Sequence, residues 1–437
     1  MPPTMKAAAI RFRATFASIR SSGTCSAAMT SPATRCRTVV ITRTETTRRC
    51  TRCSRAWSSG AGGRRGAVGS IRCRRVVVGE PLWDPDGGCW LTRSQYPVEP
   101  LVGSPHAGGM DIAPFGPDDA AELEAWADLA NAVARHDAPW QRPVTAKLAA
   151  AQFRHGWDGE PSTPYLARRD GRVVGAGTVA TSERDNLHLA WLGVQVHPEH
   201  RRHGHGSAIL EVLLDEAGRR GRTSVGIGGW EADAAAAFAK RHGFERKLAA
   251  INRRQFLADV DWAELDRRYD EAVAHATDYE LERWRGATPA ERLDELAEMA
   301  SAINDAPHDD LDIEDEVFTA ERMAAYETAV AGRDERLYRM VARHVPSASL
   351  AAQTVVVVSA DEPTWGEQHD TSVMRVHRGH RLGLLLKVAT MRWIREAEPQ
   401  VETVDTWNAE SNDHMIGVNE LLGYRVMGRE YSYQRAL

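Results

Sequence analysis

The sequence predicts a mixed α/β protein in which one unit of helices and strands occurs twice. Runs of helical and strand periodicity follow the same order before and after a predicted helix at 260–276. Each series also closes with a glycine–aromatic pair, Gly243-Phe244 or Gly423-Tyr424, and one further strand. Two long copies indicate duplication of one α/β domain, because a solenoid needs shorter and more numerous repeats.

In the first copy, apolar spacing alternates between the helical and the strand period. Asp170-Gly171 separates two strands and favours a tight hairpin turn, and Pro198 ends the next strand because it has no N–H for the ladder. The predicted elements are helices 119–135 and 144–153, strands 165–168, 173–180 and 187–196, helix 204–219, strand 224–228, helix 232–241 and a strand ending at Phe256.

The second copy repeats this order. Its predicted elements are helices 289–304 and 319–331, strands 337–343, 351–358 and 368–376, helix 382–397, strand 401–407, helix 411–422 and a closing strand. An amphipathic pattern between the copies predicts a linker helix. We therefore expect one domain at 110–257, a linker helix at 258–276 and a second domain at 277–437.

Residues 1–109 differ in composition from the rest of the chain. They hold 17 of the 55 Lys and Arg but only five acids, a net charge of +12, whereas residues 110–437 carry −17. Their low apolar content predicts a disordered or non-native extension, because too little surface is available for a core. An organelle transit peptide and a nucleic-acid-binding tail are alternatives. The segment is too long for the first and lacks the interleaved aromatic residues of the second.

The cysteines all lie in this basic extension, at Cys25, Cys36, Cys50, Cys53, Cys73 and Cys89. Cys50-x-x-Cys53 has no second pair at matching spacing, which argues against a zinc ribbon. No secretory hydrophobic region precedes the cysteines, and no run approaches the ~18 apolar residues of a membrane span. We expect a cytoplasmic protein that uses no metal and no membrane partner.

The most specific chemical motif lies where strand 187–196 meets the following helix. Gly204 and Gly206 allow a sharp turn and leave backbone N–H groups free at a helix N-terminus, where the helix dipole favours an anion such as a pyrophosphate. Arg201 and Arg202 add positive charge at the rim. The motif lies between a strand and a helix and lacks the Gly-Lys-Ser/Thr of a nucleotide P-loop, which makes it more informative than an isolated Gly-x-Gly.

This Val-x-Pro-x-x-Arg-x-x-Gly-x-Gly motif, with a later helix ending in Gly-Phe or Gly-Tyr, resembles the GNAT superfamily of acyl-CoA-dependent N-acyltransferases. The resemblance covers 110–257 and 276–437 and is similar in layout to tandem GNAT proteins of bacteria. It implies that the turn amides hold the pyrophosphate of acetyl-CoA and that the splayed strand end pairs with pantetheine and polarises the thioester carbonyl. The implied cofactor-binding residues are Val194, Val196, Arg201, Arg202, His203, Gly204, His205, Gly206 and Ser207.

The second copy departs from this motif, because Arg381 replaces the first glycine. Its later Asn-rich segment is fuller, and in the resembled family an Asn beyond the fifth strand bonds the cofactor. A helix N-cap explains Asn408 or Asn412 as an alternative. The cofactor-binding residues implied in this copy are Val373, Arg378, Gly379, Arg381, Gly383, Asn408 and Asn412.

The resemblance also implies a general base near the central strand and a tyrosine, four residues before the glycine–aromatic pair, as general acid. That position holds Ala239 and Asn419, so the usual tyrosine is absent from both copies. We therefore take Asp370, Glu367 and Asn419 as the candidate catalytic residues, with His369 as a further base and Asp185 and His188 as their counterparts in the first copy. A solvated residue at a strand edge or in a hairpin is the alternative explanation for each candidate base. Asp370 is favoured because it lies nearest the strand end.

We expect an N-acetyltransferase that moves an acetyl group from acetyl-CoA to a primary amine of a small molecule, by direct attack within a ternary complex. The second copy is the expected catalytic one. A catalytically inactive module that binds or senses acyl-CoA is the alternative. The charge of −17 on residues 110–437 disfavours nucleic acid near the site and favours a cationic amine. The acceptor and the oligomeric state do not follow from the sequence.

Overall fold

The computed structural model describes residues 109–437. The predictions made for the basic extension, including those for its cysteines and the Cys50/Cys53 pair, lie outside the described residues. In the first copy the elements are β1 (Met110–Pro114), α1 (Ala120–Asp137), α2 (Ala146–His155), β2 (Thr163–Arg169), β3 (Arg172–Thr181), β4 (Leu189–Val196), α3 (His205–Arg219), β5 (Ser224–Trp230), α4 (Asp233–Arg241) and β6 (Glu245–Phe256).

A linker helix, α5 (Trp262–Val273), leads into the second copy, which repeats the order of elements. These are β7 (Tyr279–Arg285), α6 (Leu293–Ala300), α7 (Ala320–Gly332), β8 (Glu335–His344), β9 (Leu350–Ser359), β10 (Trp365–Val373), α8 (Leu382–Ala397), β11 (Thr403–Ala409), α9 (Asp413–Leu421) and β12 (Arg425–Ala436). The predicted mixed α/β class with two copies of one unit is confirmed.

Four elements differ clearly from the predictions. The edge strands β1 and β7 were not predicted, because each is short and pairs on one side only. The helix expected at 289–304 is α-helical only over α6 and continues as 3-10 turns on both sides. Strand β10 begins three residues earlier than predicted and ends at Val373, since Gly366 interrupts the apolar pattern that would have marked its start.

All twelve strands of the described part form one sheet in the order β1-β2-β3-β4-β5-β12-β6-β11-β10-β9-β8-β7. Only β4 with β5 and β10 with β11 run parallel. The last strands are exchanged between the copies: β12 pairs with β5, and β6 pairs with β11. The two copies therefore share one continuous sheet through exchanged strands.

Helices cover both faces of the sheet in each copy. In the first copy α3 packs on one face through Ile209 and Leu213, and α1 and α2 pack on the other through Trp126 and Phe153. In the second copy α8 takes the place of α3, and α6 and α7 take the places of α1 and α2. No helix within residues 109–437 is long and apolar enough to cross a membrane.

The core under α8 contains one charged residue. Lys387 is 1% exposed, its Nζ has no hydrogen-bond partner among the described residues, and it lies 4.9 Å from the centre of the Tyr424 ring. Counted from the start of the helix, the same position in α3 is Leu210, which is fully buried. Burial lowers the pKa of Lys387 from 10.5 to about 7, because the low-dielectric core disfavours the ammonium form.

We expect Lys387→Met to stabilise the fold by about 1–3 kcal/mol at pH 7, because it removes a buried polar group without a partner. The unfolded chain keeps this proton up to about pH 10.5, whereas the folded chain releases it near 7. Lys387 therefore destabilises the folded state less as the pH increases from about 7 to 10.5. The gain in stability from K387M should shrink over that range. Urea unfolding at pH 7 and pH 10 measures both effects, with the exposed Lys240→Met as control. A loss of stability in K387M at pH 7 would contradict this account.

Candidate active site

In both copies, two neighbouring parallel strands separate part-way along their length. Pairing between β4 and β5 stops after Leu192, and pairing between β10 and β11 stops after Glu367. The strand ends beyond these points carry Val194 and Val196 in the first copy and Val373 in the second. Each divergence opens the sheet next to the turn that leads into the following helix.

The turns before α3 and α8 have the same backbone shape despite their different sequences. Arg202 and Gly204 have φ values of 69° and 84°, and their counterparts Gly379 and Arg381 have values of 91° and 55°. Arg381 thus adopts a left-handed conformation that glycine tolerates far better. No side chain caps the first turn of either helix, so their N-terminal amides are available to an anion.

One arginine holds the first turn in place. Arg201 donates from Nε to the Val196 carbonyl at 3.2 Å and from both Nη atoms to the Asp137 carboxylate at 2.9 and 2.6 Å. Burial acts to raise the pKa of Asp137, but hydrogen bonds from Arg201 and His136 hold it below its ordinary value. The guanidinium that we expected at the phosphate rim is therefore already bonded within the protein.

The second copy repeats this arrangement. Arg378 donates from Nε to the Val373 carbonyl at 3.2 Å and from Nη2 to Asp305 at 2.7 Å. Asp305 also accepts from Arg375, and these two arginines hold the pKa of its carboxyl below the usual range although burial acts to raise it. In both copies the arginine of the motif positions the turn.

The turn of the second copy borders an open cleft. A cavity of about 690 Å³ lies between α8 and α9. A Cβ added at Gly383 would meet no atom within 4 Å. The cleft brings together five of the predicted cofactor-binding residues, Val373, Arg378, Gly379, Arg381 and Gly383.

In the first copy the corresponding space is filled. A Cβ added at Gly206 would lie 3.2 Å from the Phe238 ring of α4. Ser207 and His242 form a 2.9 Å hydrogen bond that joins α3 to α4 across the same gap. Burial lowers the pKa of His242, with Arg241 acting in the same direction. The remaining residues predicted in this turn are Arg202 and His203, which are exposed, and His205, which is buried as the first residue of α3.

The asparagines of the second copy form hydrogen bonds within the protein. Asn412 caps α9 by accepting from the Met415 N–H at 3.2 Å. Asn408 is fully buried and accepts from Asn419 Nδ2 at 2.7 Å and from Arg253 at 3.4 Å. Asn419, at the position of the expected tyrosine, is also fully buried. Cofactor contact by Asn408 or Asn412 and a catalytic role for Asn419 stay predictions.

A β-bulge in β10 turns two candidate residues toward α7. The register with β9 shifts between Gln368 and Thr371, so the intervening His369 and Asp370 stand opposite one residue. His369 Nδ1 lies 2.7 Å from the Tyr326 hydroxyl, and Asp370 lines a small cavity beside Tyr326. The β3–β4 pairing of the first copy has no such shift, and Gly193 is the first residue of β4 beyond its pairing with β5.

Asp370 has the electrostatics of a base that works near neutral pH. Burial first, and then the negative charge of Glu316, raise the pKa of its carboxyl to about 7. Arg339 and Arg322 act in the opposite direction. Burial, followed by the charge of Asp370, also raises the pKa of Tyr326. A carboxyl with this pKa exchanges a proton readily at the pH at which many amines are partly deprotonated.

The other candidate bases lie away from this cavity. Glu367 is buried on β10 opposite Val357 and Asp405. In the first copy Asp185 is buried and pairs with Arg322 of α7, while His188 lies beside Asp312 at the surface. Among the described residues, no group of three or more His, Cys, Asp or Glu side chains is arranged to hold a metal ion.

Comparison with known proteins identifies the fold and its duplication. Residues 123–244 match the acetyltransferase (GNAT) family model. A mycothiol acetyltransferase of Parafrankia sp. is 26% identical over 337 residues, which cover 72% of this chain and 96% of that protein. A tandem GNAT protein from the clavulanic acid biosynthesis pathway superposes with a TM-score of 0.62 at 27% identity, over 75% of this chain and 98% of that one. Residues 123–244 form a GNAT acetyltransferase domain, and the chain has the layout of a tandem GNAT protein.

A second mycothiol acetyltransferase, of Stackebrandtia nassauensis, is 33% identical over 114 residues, which cover 25% of this chain and 36% of that protein. The predicted membership of the tandem GNAT group is confirmed, and so is the prediction of an acyltransferase. GNAT enzymes use acetyl-CoA, and the cleft of the second copy has the free helix N-terminus and space that its pyrophosphate requires.

Residues that sequence reasoning missed surround Asp370. Trp157, from the first copy, places its ring 4.5 Å from that of His369 in the second. Tyr326 and Arg339 approach from α7 and β8. Arg339 could have been found from the sequence, because it is a charged residue inside the otherwise apolar strand segment 337–341. Trp157 had no such signal, because its neighbours belong to the other copy.

Proposed function

We propose that this GNAT protein transfers an acetyl group from acetyl-CoA to a primary amine of a small molecule, and that the second copy carries the reaction. The observation that carries this proposal is the pairing of an open cleft with a carboxyl of pKa about 7 on the same strand. Asp370 and Val373 are three residues apart on β10, about 10 Å along the strand.

The residues that would hold acetyl-CoA are those of the turn before α8. The free amides at the start of α8 fit a pyrophosphate, and Val373 borders the opening that would receive the pantetheine arm. Acetyl-CoA supplies the activated acetyl group. Arg378 keeps the turn and the strand end in register through its bonds to Val373 and Asp305.

Asp370 would act as the general base in direct attack within a ternary complex. Its carboxylate would take a proton from the amine, whose nitrogen forms a bond to the acetyl carbonyl carbon. The carbon–sulfur bond breaks, and CoA leaves as a thiolate that takes a proton from solvent. Asp158 and Glu316 border the same cavity, where Arg322 offsets their charge. Positioning of the two reactants supplies much of the rate, on the order of 7–11 kcal/mol of the barrier.

The first copy has a supporting role in this proposal. Its cleft is bridged by Ser207 and His242 and narrowed by Phe238, and Gly193 stands near the place that Asp370 holds in the second copy. We keep the boundaries 110–257, 258–276 and 277–437 for the two domains and the linker, with β6 and β12 exchanged between them. The cytoplasmic location stays a prediction.

The alternative is a module that binds acyl-CoA without turning it over. It is favoured by Asn419, which replaces the usual tyrosine acid and is buried against Asn408. A thiol-release assay with acetyl-CoA and a panel of primary amines separates the two functions. We expect amine-dependent release with one acetylated amine formed per thiol. Binding of acetyl-CoA without amine-dependent release across the panel would favour the binding module.

A further inference from the structure

The cavity beside Asp370 lies where the two copies meet. It measures about 40 Å³, enough for only a few non-hydrogen atoms, since one water needs about 10–15 Å³. Trp157 and Asp158 of the first copy form one wall, and Tyr326, Arg339 and Asp370 belong to the second. Apolar side chains make up much of the wall, but the charged and polar side chains among them distinguish the cavity from a packing defect in a purely apolar core.

Three buried side chains that line this cavity have polar atoms without a hydrogen-bond partner among the described residues. They are Arg339 at Nε and Nη2, Gln353 at Oε1 and Asp158 at Oδ1. Arg339 is 0% exposed, and the other two are each 2% exposed. Buried polar atoms nearly always have partners in native proteins, so these atoms require a bound water or a polar group of a ligand.

Arg339 offers a specific edge to that group. Its Nη1 donates to Thr288 at 2.8 Å and also bonds to Glu327, which fixes the guanidinium in the sheet. The remaining Nε–Nη2 edge presents two parallel N–H donors, the arrangement that binds a carboxylate through two hydrogen bonds. Arg339 is also close enough to Asp370 to influence its charge.

We propose that the acceptor is a small amino acid, whose carboxylate binds the Nε–Nη2 edge of Arg339 while its amino group faces Asp370. This inference rests on the proposed acyl transfer and adds the substrate class. The cavity holds a carboxylate and little more, so the side chain of the acceptor extends beyond it. The donors on Arg339 and the carboxylate of Asp370 match the two charges of a zwitterion.

The experiment compares amino acids with amines of the same carbon skeleton that lack the carboxylate, and with the methyl esters of the same amino acids. For the wild-type protein we expect kcat/KM to fall at least about 100-fold on removal of the carboxylate, because the buried guanidinium edge is then left unpaired. Equal kcat/KM for the matched amines or esters would overturn the proposal.

The matched variant is Arg339→Lys, which keeps the charge beside Glu327 but loses the two-donor edge. We expect R339K to raise the KM for amino acids at least about tenfold with a smaller change in kcat, and to lower kcat/KM for the matched amines far less than for the amino acids. An equal loss for both classes of acceptor would show that Arg339 serves the fold alone and would overturn the proposal.

Calorimetric binding of the free amino acids, with CoA present, distinguishes this inference from the acyl transfer on which it rests. Binding that R339K weakens, in a protein that acetylates no amine, would sink the proposed function and keep the carboxylate site. Acetylation of amines without any dependence on the carboxylate would keep the function and sink this site. No turnover and no amino-acid binding would sink both.

Discussion

Asp370→Asn should lower kcat/KM for amine acetylation by about 10²–10⁴-fold, because the variant cannot take the proton from the attacking amine. In the wild-type protein the pKa of Asp370 is about 7. We therefore expect kcat/KM to rise as the pH increases through about 7, where the carboxyl becomes the charged base. Steady-state kinetics between pH 5.5 and pH 9 would show this limb in the wild type and its absence in D370N.

A stability measurement distinguishes this catalytic role from a structural one. The pKa of Asp370 in the folded chain lies above the unfolded value of 3.8, so the folded state binds the extra proton between about pH 4 and 7. The stabilisation of the folded state by this proton is fully present below about pH 4 and is lost as the pH rises through about 7. D370N removes the buried charge and should therefore unfold at an equal or higher temperature at pH 8.

The exposed Asp128→Asn is the matched control, and we expect it to change neither activity nor thermal unfolding. Full activity in D370N, with an unchanged pH profile, would assign the base to another group. A large drop in unfolding temperature would instead assign Asp370 to the fold.

Gly383→Phe should abolish acetyl-CoA binding, with an increase in Kd of at least about 100-fold, because the ring occupies the cleft between α8 and α9. A Cβ added at Gly383 would meet no atom within 4 Å, and the φ angle of Gly383 is not in the left-handed region. Replacing a helical glycine also adds about 0.5–1 kcal/mol of stability, so the protein should remain folded. Isothermal titration should give one acetyl-CoA per wild-type chain and none for G383F.

The corresponding change in the first copy is Gly206→Ala. A side chain larger than a methyl group does not fit there, because a Cβ added at Gly206 would lie 3.2 Å from the Phe238 ring. We expect G206A to keep the wild-type stoichiometry and Kd. Loss of binding in G206A with retention in G383F would reverse the roles of the two copies. Two equivalents bound to the wild-type chain would show that the Ser207–His242 bridge opens.

The duplication and the turns before α3 and α8 could be predicted from local sequence alone. Helical periodicity placed the start of α8 at Leu382, and the glycines around Gly204 marked an anion-binding turn. The sequence also identified Asp370 as a candidate near the end of β10. These features depend on neighbouring residues, whose spacing a sequence displays directly.

The sequence by itself determined a tandem α/β protein with two phosphate-type turns and no tyrosine at the usual acid position. Only the tertiary structure decided that β6 and β12 change places, that Phe238 narrows one cleft while the other stays open, and that Trp157 lies against His369. The physical reason is that strand pairing and side-chain packing join residues far apart along the chain. Local periodicity specifies which face of an element is buried, but the partner on that face is selected only when the whole sheet assembles.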